Sequence, residues 1–158
     1  MIKINRKVEY ALMVLKLMKG RGHDELTTAR EVCAKFHTPF DTTSKVMQLM
    51  NTAGLLQSLK GVKGGYTLAH DLTNVSFVDL VQLIEGKSFM MDCHDQGHGK
   101  PCELMQNCNI ALPIRRLNDY IINIFSTLSL NELLADDNLL ALKRMPEKKI
   151  ENCPLVNK

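Results

Sequence analysis

The sequence has little that would place the chain in a membrane or outside the cell. An apolar stretch follows the first seven residues, but Glu9, Lys16 and Lys19 interrupt it. A stretch this short and this charged neither inserts into a bilayer nor has the pattern of a secretory signal. The five cysteines are an odd number, which does not suit a framework of disulfide pairs. We therefore expect a cytoplasmic protein, in which clustered thiols are more often metal ligands.

The chain also lacks the common signatures of enzymes. It contains no phosphate-binding loop, no nucleophile elbow and no glycine fingerprint for dinucleotides. We therefore predict that the protein is not an enzyme. A small redox or hydrolytic enzyme built on cysteine and histidine is the weakest of the alternatives.

Net charge is also small, at +3, but it is unevenly distributed. Residues 1–66 hold eleven Lys and Arg against five Asp and Glu, a surplus of +6. Residues 67–135 hold four against eight, which gives −4. A basic front half beside an acidic middle favours an anionic partner bound by the N-terminal part of the chain.

Two helices are predicted in the first 36 residues. An apolar stripe at helical spacing begins at Val8 and ends at Gly20. Thr27 or Thr28 can cap the second helix, and Glu31 stands where it would complete a capping box with Thr28. The prediction is thus two short helices joined by a polar connection.

A third helix and a hairpin follow. The helix is expected to begin at Asp41 or Thr42 and to end at Gly54. Its predicted inward-facing residues are Val46, Leu49 and Met50. Residues 55–60 and 66–69 then predict two strands around a glycine-rich turn.

Three helices and a hairpin are the layout of a winged helix-turn-helix, which binds double-stranded DNA. The third helix enters the major groove and the hairpin, or wing, reaches the backbone or minor groove. Glycines allow the wing to approach DNA closely, and lysines there release counterions from phosphates. The candidate DNA-binding residues are Thr42, Thr43, Lys45 and Gln48 on the helix, and Lys60 and Lys63 on the wing.

A polar loop with three cysteines follows this region. Cys93, Cys102 and Cys108 lie among glycines and Pro101, which favour neither helix nor strand. Such a loop is typical of a metal site. The spacing of His94, His98 and Cys102 leaves zinc as an alternative, but the eight- and five-residue gaps differ from short zinc knuckles.

Several segments together resemble the bacterial IscR/NsrR/RirA family of regulators. Residues 51–56 and 59–69 are similar to the segment before the wing and to the wing itself, 8–12 to the first helix, and 75–86 to a linking helix. The resemblance covers roughly residues 1–134. It implies a dimeric, cytoplasmic, winged-helix transcription factor whose loop cysteines bind an iron–sulfur cluster. We expect this regulator to be a repressor whose operator affinity the cluster switches.

Two departures from the best-known pattern affect the ligand set. The gap between Cys93 and Cys102 is longer than usual, and Ala111 stands where the IscR type has a histidine. The resemblance offers Glu9 and His37 as replacements, since related members supply a carboxylate or histidine from those regions. It favours a 2Fe–2S cluster on Cys102, Cys108, Glu9 and His37, with Cys93 as a third thiol or a spare. A 4Fe–4S cluster on the three cysteines and Glu9 is the alternative, and a same-fold regulator using zinc or reactive thiols is the second candidate.

A long helix after the loop carries an apolar seam. Its members recur at spacings of four and three, and the family uses this helix for dimerisation. The predicted dimerisation residues are Ile114, Leu117, Ile121, Ile124 and Leu128, with Ile110 at the start of the seam. Ser129 and Glu132 then have the pattern of a capping box for a last short helix through Leu134.

The fold class expected is therefore mainly α with a small β-hairpin wing and a long dimerisation helix. Residues 1–72 are predicted to form the DNA-binding domain, and 73–134 the linking helix, cysteine loop and dimerisation helix. Residues 135–158 form a polar tail with Cys153, for which the sequence suggests no function. Cys33, in the second helix, is expected to be a core thiol.

Overall fold

The computed structural model describes residues 4–21, 25–61, 64–86, 103–104 and 107–135. Six α-helices and one two-stranded sheet are found within this part of the chain, together with a 3₁₀ turn at Leu72–Asn74. The helices are α1 (Arg6–Lys19), α2 (Ala29–Phe36), α3 (Phe40–Thr52), α4 (Phe77–Glu85), α5 (Ala111–Ser126) and α6 (Leu130–Leu133). The strands are β1 (Leu56–Leu59) and β2 (Gly65–Leu68).

Helix α1 forms the centre of the DNA-binding half. The side chain of Asn5 caps it by accepting a hydrogen bond from the Lys7 amide, and it ends at Gly20. Its fully buried residues, Val8, Ala11, Val14 and Leu15, recur at helical spacing. This face packs against α3, α4 and β2, so α1 contacts both the helix and the strand that the sequence predicts for DNA binding.

Helix α2 begins where the sequence predicts, but its cap is simpler than expected. Thr28 accepts a hydrogen bond from the Glu31 amide at 3.2 Å. The Glu31 carboxylate does not return to the cap and instead pairs with Arg21. The predicted capping box is therefore wrong in its second half, because a guanidinium outside the helix takes the carboxylate.

Helix α3 differs from the prediction at its start and on one face. It begins at Phe40 with Pro39 as the cap, so neither Asp41 nor Thr42 opens it, and Pro39 has no side chain to accept a bond. Leu49 is 42% exposed rather than inward-facing. The buried positions are Thr43, Val46, Met47 and Met50.

The wing is a two-stranded antiparallel hairpin, as predicted to within one residue at each end of each strand. Leu56 pairs with Leu68, and Leu59 pairs with Gly65. A third segment joins it, because Thr27 and Tyr66 exchange both backbone hydrogen bonds at 2.9 Å. The wing is thus attached to the connection between α1 and α2.

The start of α4 is fastened to the end of α5 by backbone bonds. The Phe77 amide donates to the Leu128 carbonyl at 3.0 Å, and the Leu130 amide donates to the Val75 carbonyl at 2.8 Å. The rings of Phe77 and Phe125 meet edge-on, with centroids 5.5 Å apart. These contacts bring the predicted linking and dimerisation helices together.

Both helix starts at this junction carry capping boxes. Ser129 and Glu132 form the one that the sequence predicts for α6, and Ser76 and Asp79 form a second at α4. The helix α6 ends at Leu133, one residue before the predicted end. None of the helices in the described ranges is long and apolar enough to span a bilayer.

Candidate functional site: a DNA-binding surface and its sensor residues

The exposed face of α3 carries polar and charged side chains. Lys45 and Gln48, both predicted to contact DNA, are exposed there, and Thr42 is half-buried beside them. Asp41 and Thr52 share this face at helical spacing, and Leu49 lies at its edge. Sequence reasoning missed Asp41 and Leu49 because it assigned the first to a cap and the second to the core, and it gave Thr52 no role.

Thr43 was predicted to face DNA, and this is wrong. Its side chain is fully buried, and its hydroxyl donates to Thr38 Oγ1 at 2.9 Å. The Thr38 hydroxyl donates in turn to the sulfur of Cys33 at 3.5 Å. This chain of bonds crosses the turn between α2 and α3, so Thr43 holds the helix-turn-helix together from inside.

Cys33 is half-buried rather than part of the closed core. It lies on α2 and accepts the weak hydrogen bond from Thr38. The thiol therefore contacts the turn between α2 and α3.

The wing leaves its lysine open to solvent. Lys60 is exposed directly before Gly61, whose φ of 132° only glycine adopts readily. A Cβ on Gly64 would lie 2.7 Å from the Leu59 carbonyl oxygen, so only glycine fits this tight tip. Lys63 lies outside the described residues. The basic, glycine-rich tip has the character expected of a phosphate contact.

The two non-cysteine ligand candidates lie on the DNA-binding half. Glu9 is on α1, where its carboxylate accepts from Arg6 Nη1 at 2.8 Å. Its side chain is 33% exposed, so the pair is only partly screened from water. His37 ends α2 in the left-handed conformation, with φ 54° and ψ 36°, and its imidazole is exposed.

Of the candidate cysteines, the structure describes Cys108 alone. Its free thiol is half-buried, three residues before Ala111, where α5 begins. Cys93 and Cys102 lie outside the described residues, as do His94 and His98. In the part of the chain that is described, no three His, Cys, Asp or Glu side chains are grouped closely enough to hold a metal ion. The ligand set therefore stays a prediction.

Helix α5 carries apolar side chains on more than one face. Leu117 is 50% exposed, and Ile110, Leu112 and Tyr120 are also exposed. The other predicted seam residues, Ile114, Ile121, Ile124 and Leu128, are half-buried. Leu128 lies beyond the end of the helix at Ser126, where its carbonyl bonds to Phe77. In the single chain, part of the predicted seam is therefore exposed to solvent.

These features define a winged-helix DNA-binding protein. Helix α3, which has an exposed polar face, packs against strand β1 of the basic hairpin, an arrangement typical of that class. Residues 4–136 match the Rrf2 family, described as "Iron-dependent Transcriptional regulator". The chain belongs to this family, whose members are transcriptional regulators and not enzymes.

Individual relatives agree with this assignment. The regulator NsrR of Geobacillus kaustophilus is 22% identical over 135 residues, covering 85% of this chain and 91% of the relative. The transcriptional repressor NsrR of Streptomyces coelicolor is 25% identical over 122 residues, covering 77% and 80%. The structure of CymR, the global cysteine regulator of B. subtilis, has the same fold, with a TM-score of 0.63, 19% identity and coverage of 85% and 97%.

Proposed function

We propose that the protein is a cytoplasmic, homodimeric repressor whose operator affinity is switched by an iron–sulfur cluster. The observation that carries the proposal is the family match over residues 4–136, which spans the winged helix and all three loop cysteines. The family description as iron-dependent supports the metal. The repressor among the relatives supports the sign of regulation.

The residues fit such a cluster in their chemistry. Cys102 and Cys108 would supply thiolates, with Glu9 and His37 completing a 2Fe–2S site and Cys93 as a third thiol or a spare. The free Cys108 thiol and the exposed His37 imidazole are both accessible. Glu9 would have to leave Arg6, and a partly exposed ion pair of this kind costs about 1 kcal/mol or less to break. Three cysteines with Glu9 would form the 4Fe–4S alternative.

A bound cluster would supply a centre that responds to redox state, nitric oxide or iron supply. The chain's own part is to connect that centre to DNA. Glu9 lies on the helix that packs against α3 and β2, whereas Cys108 precedes α5. Ligation between the loop of one subunit and the DNA-binding half of the other would therefore fix the distance between two recognition helices.

The exposed surfaces of α3 and the wing support the proposed contacts with DNA. Lys45, Gln48 and Thr42 would meet the major groove, where glutamine pairs with adenine, and Lys60 and Lys63 would meet the backbone or minor groove. Two copies joined along α5 would read a palindromic operator with half-sites about one helical turn apart. Leu117 and the apolar residues around it would form that contact.

The test joins metal analysis to DNA binding. Protein purified without oxygen should be coloured and hold about two or four irons per subunit with matching sulfide. Cys102→Ala and Cys108→Ala should lose both, while Cys33→Ala, on α2, should keep them. Operator sites selected from random duplexes should bind the loaded and metal-free proteins with different affinity. Full iron and sulfide in both loop variants would overturn the ligand assignment.

A second candidate function is a regulator of the same fold that uses zinc or reactive thiols. It is favoured by one observation, that Ala111 stands where the IscR type has a ligand histidine. Colourless protein that still binds its operator, with zinc or no metal, would select this candidate. Operator binding that changes on thiol oxidation would then identify the switch.

A further inference from the structure

Arg21 lies at the point where three parts of the DNA-binding half meet. It lies two residues after the end of α1, and its side chain is only 21% exposed. Its guanidinium donates from Nη1 to Thr27 Oγ1 at 3.1 Å and from Nη2 to the Glu31 carboxylate. Its Nε lies 3.9 Å from Glu25. One side chain thus holds the end of α1, the segment beside the wing and the first turn of α2.

The Thr27 contact leads to the wing. Thr27 is fully buried, and its backbone exchanges two hydrogen bonds with Tyr66 of β2. The approach is close, since a Cβ on Gly65 would lie 3.1 Å from the Thr27 carbonyl oxygen. Any shift of Thr27 would therefore move β2, which is one of the two strands of the wing.

The Glu31 contact leads to the recognition helix. Glu31 lies in the first turn of α2, which packs against α3. The planar guanidinium of arginine can donate two parallel hydrogen bonds, so it fixes both the direction and the distance of its partner. The ammonium of lysine fixes only the distance. Arg21 therefore contacts α2, which packs against α3, and also the segment that is bonded to β2. Strand β2 pairs with β1, and Lys60 directly follows β1.

We propose that Arg21 is a positioning residue that sets the wing relative to the recognition helix, so that both contact one DNA duplex. It touches no DNA itself and acts through Thr27 and Glu31. The proposal rests on the DNA-binding function of the family and on the wing as a contact, but not on the cluster. Metal content is therefore expected to be unchanged in every variant named below.

The experiment measures operator affinity at two salt concentrations, using a duplex selected by the wild-type protein. Arg21→Lys keeps the positive charge but loses the paired contacts to Thr27 and Glu31, and it should weaken operator binding on the order of fivefold. Glu31→Gln should weaken it similarly. That sign is informative, because removing a negative charge near DNA would by itself strengthen binding. Glu25→Gln is the control: it also removes one negative charge near Arg21, but it leaves the contacts from Arg21 to Thr27 and Glu31 in place, so it should not weaken operator binding.

A double-mutant cycle separates positioning from general loss of stability. In a Lys60→Ala/Lys63→Ala background the wing makes little contact, so Arg21→Lys should change affinity by less than about twofold. Ile84→Val, a mild core change in α4, controls for stability and should leave the operator affinity unchanged. An equal penalty for Arg21→Lys in both backgrounds, or no penalty in either, would overturn the proposal. If wild-type protein failed to bind any duplex, the DNA-binding function itself would fall instead.

Discussion

Replacing Thr43 with valine separates a buried structural residue from a DNA contact. Valine has nearly the shape of threonine, so Thr43→Val removes a hydroxyl and leaves little cavity. The lost bond is the 2.9 Å contact to Thr38 within the core of the helix-turn-helix. Thr38 loses a donor to its oxygen but keeps its own contact to Cys33. A net loss of about 1 kcal/mol in the free energy of unfolding is expected, as for a typical buried hydrogen bond.

The assay is urea unfolding at fixed protein concentration, followed by operator titration under native conditions. The midpoint should fall with an unchanged slope, and affinity should stay within about twofold. Lys45→Ala is the matched control on the same helix, with an exposed side chain. It should leave the midpoint nearly unchanged and weaken binding, with a smaller salt dependence. Unchanged stability together with a large loss of affinity in Thr43→Val would refute the assignment.

Three further predictions concern other parts of the fold. Gly64→Ala should distort the wing tip at a cost of about 1–3 kcal/mol, since its Cβ would meet the Leu59 carbonyl, and so weaken operator binding; Ser58→Ala on exposed β1 is the control. Ser129→Ala should lower the free energy of unfolding by about 1 kcal/mol in urea through loss of the α6 cap, whereas an unchanged midpoint would contradict the capping role. The neighbouring Arg21 guanidinium lowers the pKa of Glu31, so its stabilisation is present above the usual carboxyl range and is lost as pH falls through the lowered value. The stability difference between wild type and Glu31→Gln should thus be constant near neutral pH and shrink in acid, and a difference that grew in acid would contradict it.

The regular elements could be predicted because their signals are local. A period of buried residues from Val8, a cap at Thr28, and the Ser129 and Glu132 pair each fix a helix within a few residues. The wing was predictable for the same reason, since its turn needs glycine at position 64. Local steric and hydrogen-bonding needs act within one turn, so the sequence displays them directly.

The sequence predictions are wrong where a contact with another element determines the position or the role of a side chain. Thr43 and Leu49 both lie on α3, yet the polar residue is buried and the apolar one exposed. Thr43 stands at helical spacing from the buried Val46 and Met50, but the period does not show the polar partner, Thr38, that makes its burial favourable. Glu31 was assigned to a cap because Arg21, ten residues earlier, could not be placed beside it. Contacts across turns and between helices are not encoded in spacing alone.

Helix α1 determines how a signal at Glu9 would reach DNA. The helix has four fully buried residues in two turns, so its contacts fix it to α3, α4 and β2. A force on the partly exposed Glu9 carboxylate would move the packed unit, because bending α1 would open the core. Close-packed cores transmit displacement in this way. If Glu9 binds the cluster as proposed, ligation would turn the whole DNA-binding half, wing included. The spacing between the two recognition helices of the proposed dimer would then change without any change inside each helix.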